Sequence, residues 1–187
     1  YHGTSQDLSP EKSARFLVAL DVLDKCFELK EKALVFLESL ELQSGDQLPL
    51  ILQQRYKLSK LPLVINGEVN TSTRQDRVDD FQSRDGFDVM ILSPKAGGVG
   101  ITLTAANHVI HLSRWWNPAV EDQATDRAHR IGQKKTVFTY KFISKETVEE
   151  KILALQQRKK DLASELVTSD ESILRALSED EVLDLLS

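Results

Sequence analysis

Short apolar runs alternate with amphipathic stretches along most of the chain. Helical spacing of apolar residues and short aliphatic runs predict two sets of elements. The predicted strands span residues 33–37, 63–65, 88–92, 108–112 and 137–143, and the predicted helices span 16–27, 47–58, 71–81, 118–130, 147–166, 171–177 and 179–186. Because short, continuously apolar strands alternate with helices, the pattern indicates an α/β fold with a parallel sheet covered by helices on both faces.

Local signals place several helix ends. Ser9 and Pro10 suit the start of the first helix, and Thr71 or Thr73 suits the cap of the third. Pro118 suits the start of the helix that is expected to run through residue 130 and to stop at Gly132. In a parallel sheet of this kind, ligands collect where the strands end.

Composition fits one globular domain. The chain has 187 residues, of which 41% are hydrophobic and 28% are charged. Its net charge of −5 argues against a dedicated nucleic-acid binder. Residues 114–160 nevertheless hold eleven Lys and Arg against six Asp and Glu, whereas residues 161–187 hold eight acids and one Arg. A basic face on an acidic domain is therefore compatible with the sequence, although solvated helix surfaces explain the same charges.

The single cysteine, Cys26, occupies an apolar position of the first helix. We expect a buried thiol there, which fits a reducing cytoplasm. No apolar run is long enough to cross a bilayer, so no membrane partner is expected. The first residue is Tyr1 and no signal peptide follows, so we expect a segment of a longer protein. The histidines lack metal-ligand spacing, and no metal site is expected.

A glycine-rich loop follows the third predicted strand. Residues 94–103 read PKAGGVGITL, and glycine at three of four successive positions lets the backbone turn tightly or approach a phosphate. A dinucleotide fingerprint would need a third glycine where Leu103 stands and an acidic residue after the next strand, and neither is present. The loop alone is a weak signal.

A second segment concentrates arginine. Arg127 and Arg130 are three residues apart, so on a helix they would share a face, with Gln123 one turn earlier. Two guanidinium groups that converge repel each other unless an anion lies between them, and phosphate oxygens match the planar fork of arginine. The neighbouring Asp126 could orient them. A surface helix with Asp–Arg pairs would give the same residues.

The order of these segments resembles the C-terminal RecA-like lobe of the Swi/Snf-type ATPases of helicase superfamily two. Residues 93–107 are similar to the fifth motif of that family, and residues 123–133, with the string RAHRIGQ, are similar to its sixth. The WNP string at 116–118 also matches, and weaker similarity lies at 32–36, 67–81 and 147–152. The resemblance covers about residues 13–168. The end of the chain resembles prokaryotic members, so a bacterial or archaeal source is expected.

The resemblance also has departures. Many members have arginine at the position of Lys95 and a Leu-Asn-Leu string at 101–103, and the serine and glutamine usual after the fourth-motif strand are replaced by Leu37 and Glu38. The chain contains neither a GxxxxGK[ST] loop nor an Asp-Glu pair at a strand end that could hold magnesium.

The resemblance implies roles for particular residues. It places ATP with Mg²⁺ between this lobe and an N-terminal RecA-like lobe of the same chain, which would supply the magnesium ligands. The residues implied in the arginine-finger role are Arg130 and Arg127, and those near the nucleotide are Gln123, Gly98, Gly100 and Asp126. The residues implied in contacts with the backbone of double-stranded DNA are Lys95, Thr102, Arg74, Trp116, Arg114, Lys134 and Lys135.

The resemblance implies a RecA-like three-layer domain with a helical C-terminal appendage. We expect an unassigned segment at 1–12, the RecA-like lobe at 13–144, and a brace helix with a short helical acidic tail at 145–187. The expected function is that of the second motor lobe of a DNA-stimulated ATPase and double-stranded DNA translocase of the chromatin-remodeller type, monomeric as a fragment. Alternatives are a lobe of an RNA or single-strand helicase, or a noncatalytic interaction module. The expected location is the cytoplasm, at the nucleoid, or the nucleus in a eukaryote.

The missing phosphate loop leads to the first prediction. Residues 1–187, purified alone, should hydrolyse no ATP above background, because they lack the loop and the carboxylates that assemble a phosphoryl-transfer site. A phosphate-release assay with and without duplex DNA measures this. ATP hydrolysis by the purified chain would contradict the assignment that it carries only half of an ATP site.

Overall fold

Five strands form one fully parallel sheet in the computed structural model, which describes residues 14–94, 100–113 and 118–142. The strands are β1 (Lys32–Phe36), β2 (Leu63–Ile65), β3 (Val89–Leu92), β4 (Ala106–His111) and β5 (Phe138–Lys141), in the order β2-β3-β1-β4-β5. Every residue of β1, β3 and β4 is buried, because helices cover both faces of the central strands. The predicted α/β fold of the RecA type is confirmed.

The described helices are α1 (Ala14–Leu29), α2 (Leu40–Gln43), α3 (Leu48–Tyr56), α4 (Thr71–Ser83) and α5 (Pro118–Thr125). The core on one face of the sheet joins α1 and α3 to side chains such as Val35 and Ile110. The core on the opposite face joins α4 and α5 to side chains such as Leu34 and Phe36. Cys26 is fully buried in the first of these cores, as its apolar position predicts.

Two local predictions are wrong. The cap of α4 is Asn70, whose side-chain oxygen accepts from the Thr73 amide at 2.9 Å, instead of Thr71 or Thr73. The helix predicted over residues 118–130 ends at Thr125 and continues as turns. The short helix α2 has no counterpart among the predicted elements.

All described residues belong to one compact unit, which ends at Phe142. The expected boundary at residue 144, the brace helix and the acidic tail lie outside the described residues. None of the helices in the described ranges combines the length and apolar character that a membrane span requires.

A partly buried polar network joins the amino ends of β1 and β4. The Nε2 atom of His108 lies 2.7 Å from Oε2 of Glu31, and its Nδ1 lies 3.3 Å from the Tyr140 hydroxyl. On the other carboxylate oxygen, Glu31 accepts from Nζ of Lys135 at 3.0 Å. Burial raises the pKa of Glu31, but hydrogen bonds from Asn107, His108 and Lys135 outweigh this effect and hold the pKa at about 2.

This network predicts a pH dependence of stability. The pKa of Glu31 lies below its ordinary value of 4.5, so the stabilisation is complete above about pH 4.5 and is lost as the pH falls towards 2. Glu31→Gln should lower the free energy of unfolding at pH 7 by roughly 2–3 kcal/mol, and the difference from wild type should shrink below pH 4.5.

Urea denaturation of the chain at pH 7, 4.5 and 2.5 measures this difference. Glu28→Gln, which changes an exposed carboxylate of α1, is the matched control and should be near neutral throughout. A Glu31→Gln difference that stays constant across this pH range would contradict the assignment.

Candidate functional site

The segment that carries both arginines leaves the helical path at α5. We call residues 126–132 the arginine turn. Nε of Arg127 donates to the Gln123 carbonyl at 3.2 Å, which is the carbonyl that its own amide would use in a continuing helix. The Arg127 amide bonds to the Ala124 carbonyl at 3.2 Å instead. The Arg127 side chain thereby replaces the helical hydrogen bond, which explains why α5 ends before the arginines.

The carbonyl of Arg127 also leaves the helical pattern. It accepts from the Leu103 amide at 2.8 Å, and this bond joins the arginine turn to the segment that follows the glycine-rich loop. Gly132 then turns the chain with a φ of 105°, a region that favours glycine. The two motifs singled out in the sequence are therefore in direct contact. The two arginines, however, do not lie on one face of a helix.

Arg127 is the buried member of the pair. The residue is only 4% exposed, and its Nη1 has no hydrogen-bond partner among the described residues. Burial and, secondarily, the charge of Arg130 lower the pKa of the Arg127 guanidinium, while the nearby carboxylate of Asp126 opposes them. A buried, charged donor without an acceptor is costly.

Arg130 is the exposed member of the pair. Its Nη1 donates to the Gly100 carbonyl at 3.3 Å and to the Thr102 hydroxyl at 3.2 Å. These bonds hold one edge of the guanidinium against the loop and leave the group at the surface. Thr102, implied above as a DNA contact, thus lies beside the residue implied as an arginine finger.

Gln133 joins the two segments from the far end of the turn. Its Nε2 lies 2.8 Å from the Ala106 carbonyl, 3.1 Å from that of Thr104 and 3.2 Å from that of Ala128. Its Oε1 accepts from the Lys135 amide at 2.9 Å. Gln133 ends the RAHRIGQ string, and its place directly after Gly132 is the only signal in the sequence for these contacts.

The remaining residues implied near the nucleotide lie on the same segments. Gln123 and Asp126 are exposed, and Gly100 has a φ of 50°. Gly98 lies outside the described residues, as do Lys95, Arg114 and Trp116. Their predicted roles remain predictions.

Besides Thr102, two of the implied DNA contacts have partners within the protein. Arg74, at the start of α4, donates from Nη2 to the Val69 carbonyl at 3.1 Å, while its buried Nε has no partner among the described residues. The ammonium of Lys135 pairs with Glu31, whereas Lys134 is exposed. The structure therefore places Arg74 and Lys135 at structural contacts, and their contact with DNA stays a prediction.

The donor set of the arginine turn matches phosphate rather than a metal. Its functional groups are guanidinium N–H donors, whereas Mg²⁺ requires oxygen ligands. Within the described ranges, no cluster of three His, Cys, Asp or Glu residues could hold a metal ion. His108 and His111 are buried and bonded, the latter through its Nε2 to the Thr125 hydroxyl at 3.1 Å.

Comparison with known proteins identifies the family. Residues 15–132 match the helicase conserved C-terminal domain. The chain is 39% identical over 176 residues to an uncharacterized ATP-dependent helicase of Mycoplasma genitalium, and 37% identical over 164 residues to the putative ATP-dependent helicase/translocase YwqA of Bacillus subtilis. These alignments cover 94% and 88% of the chain but only 16% and 17% of those relatives, so the chain spans about a sixth of their length.

Solved structures show the same relationship. The Sulfolobus solfataricus SWI2/SNF2 ATPase core in complex with dsDNA superposes with a TM-score of 0.72 at 31% identity, over 96% of this chain and 36% of that one. The C-terminal domain of the same ATPase gives 0.69 at 29% identity, over 96% and 71%. The chain therefore belongs to the helicase conserved C-terminal domain family and is a C-terminal RecA-like lobe of the Swi/Snf type in helicase superfamily two.

Proposed function

We propose that the chain is the second motor lobe of a DNA-stimulated ATPase that translocates on double-stranded DNA, and that Arg130 and Arg127 act as its arginine fingers. The observation that carries this proposal is the buried Nη1 of Arg127, which has no acceptor among the described residues and lies in the field of Arg130. An oxygen of the γ-phosphate of ATP would supply the missing acceptor.

The two arginines have different positions and therefore different tasks. Arg127, held by the Gln123 carbonyl, keeps its guanidinium in place before any ligand arrives. Arg130 is held on one edge by Gly100 and Thr102, and its exposed side can meet a group presented by another surface. Preorganised positive charge stabilises the transition state of phosphoryl transfer because it requires no reorganisation at the moment of reaction.

The rest of the ATP site belongs to an N-terminal RecA-like lobe of the same protein in this proposal. That lobe supplies the phosphate loop and the ligands of Mg²⁺, which neutralises charge on the β- and γ-phosphate oxygens when bound. Closure of the two lobes brings the arginine turn to the nucleotide, and opening releases it, so ATP turnover drives relative motion of the lobes.

In this proposal, the contact between Arg130 and Thr102 couples the nucleotide site to the DNA-binding surface. Thr102, Arg74, Lys134 and Lys135 are proposed to contact the phosphate backbone, together with Lys95, Arg114 and Trp116 outside the described residues. Backbone contact accepts any sequence, as a translocase requires. Support comes from the similarity to a SWI2/SNF2 ATPase core whose structure contains dsDNA, and to the TATA-binding protein-associated factor MOT1 of Saccharomyces cerevisiae, at 38% identity over 159 residues. That alignment covers 83% of this chain and 8% of MOT1.

The test of this proposal uses the full-length protein and its Arg130→Ala variant. Duplex DNA should raise ATP turnover of the wild type several-fold, more than single-stranded DNA or RNA does. The variant should lose on the order of 10³-fold in kcat, because the transition-state charge loses its arginine, and should still bind ATP.

Arg55→Ala is the matched control. Arg55 pairs with Asp24 on the opposite face of the sheet, and its loss should leave turnover unchanged. Normal turnover by Arg130→Ala would refute the arginine-finger assignment. Preferential stimulation by RNA or by single strands would favour the alternative helicase class, and absence of turnover in the wild type would favour an interaction module.

A further inference from the structure

The arginine turn lacks the hydrogen-bond ladder that would make it rigid as a helix. After Thr125 the backbone makes isolated turn bonds, such as that from the Ala128 amide to the Thr125 carbonyl at 3.0 Å. Arg130 and Ile131 are exposed, so packing of their side chains does not fix the tip. If Arg130 must meet a phosphate with sub-ångström accuracy, other contacts have to set the position of this turn.

The side chain of Gln133 makes contacts of this kind. Its amide nitrogen reaches carbonyls in both segments at once: Thr104 and Ala106 on the loop side, and Ala128 between the two arginines. Two N–H groups shared among three acceptors give at least one three-centre bond. The amide oxygen is used as well, by the Lys135 amide, so the chain is held on both sides of Gln133.

The 104–106 segment, to which Gln133 donates, is also held by contacts with other parts of the fold. The Ala105 amide donates to Oε1 of Gln82, near the end of α4, at 2.7 Å. The Ala106 amide bonds to the Leu103 carbonyl at 3.1 Å, and Ala106 begins the buried strand β4. The carbonyls bound by Gln133 therefore belong to a part of the fold that is anchored to the sheet and to α4.

We propose that Gln133 is a positioning residue that sets the place of Arg130 by fastening the arginine turn to the 104–106 segment. This inference rests on the proposed function, since it deepens the role of Arg130. Gln133 does not touch the nucleotide; it acts through the turn that carries the guanidinium. A glutamine is suited to this because it combines two donors with an acceptor, whereas a methionine of similar length has neither strong donor nor strong acceptor.

The experiment measures kcat, KM for ATP and the thermal midpoint of the full-length protein with saturating duplex DNA. The variants are Gln133→Met, Arg130→Ala and the double variant, with Gln54→Met on an exposed position of α3 as the matched control. Gln133→Met should lower kcat by on the order of 10²-fold, because a displacement of about 1 Å misplaces the charge. The KM for ATP should change less than about twofold, and the control should behave as wild type.

The double variant separates positioning from a general structural role. Arg127 is held separately by the Gln123 carbonyl, so a Gln133 that acts through Arg130 has no further effect once Arg130 is removed. The double variant should then be no slower than Arg130→Ala alone. Multiplicative losses in the double variant would overturn the inference, as would a Gln133→Met kcat within about threefold of wild type. In either case, a low kcat of Arg130→Ala would leave the proposed function standing. A wild-type kcat of Arg130→Ala would refute the proposed function and this inference together.

A second variant covers the case in which Gln133→Met lowers the thermal midpoint below the assay temperature. Gln133→Asn keeps the amide but is one methylene too short to reach the Thr104 and Ala106 carbonyls. It should show the same fall in kcat with an unchanged KM for ATP. A folded Gln133→Asn protein with the kcat of wild type would overturn the inference.

Discussion

The hydrogen bond from the Leu103 amide to the Arg127 carbonyl is the contact on which the site depends. This 2.8 Å bond takes a carbonyl that a continuing helix would use for itself. The Arg127 side chain takes a second such carbonyl, that of Gln123. The capture of the Gln123 carbonyl ends α5 at Thr125, and the bond to Leu103 joins the turn that carries the arginines to the 100–106 segment.

This geometry has an electrostatic consequence. Arg127 is buried, and a guanidinium donor without an acceptor among the described residues is unfavourable there. Burial has the larger effect in lowering the pKa of Arg127, and repulsion from the nearby guanidinium of Arg130 lowers it further. We propose that the lobe holds this charge in place for an anion, and that the γ-phosphate of ATP relieves the cost. Gln133 contributes to the same end by keeping the turn against an anchored segment.

Hydrophobic periodicity predicted the sheet well because strands β1, β3 and β4 are buried on both faces and are therefore apolar throughout. It predicted a helix through Arg130 because helical propensity carries no information about a side chain that takes a backbone carbonyl. The pairing of Lys135 with Glu31, 104 residues away, has no local signal, since the charged string at 30–32 has the composition of a solvated turn. Likewise, Gln133 and Gln82 act on backbone carbonyls and amides of distant segments, which no spacing rule identifies. Spacing alone left open whether the arginines form a phosphate site or lie on a surface helix. The roles proposed for them came from the similarity to a family.

The most direct measurement is a structure of the full-length protein with duplex DNA, Mg²⁺, ADP and beryllium fluoride in place of the γ-phosphate. We expect a guanidinium nitrogen of Arg130 at about 3 Å from the fluoride group, with the hydrogen bonds of Gln133 and of Leu103 to the turn retained. We also expect Nη1 of Arg127 to gain an acceptor from the nucleotide side. A closed nucleotide site with both arginines remote from the fluoride group, or with residues 126–130 refolded into a continuous helix, would contradict the proposed role of the arginines.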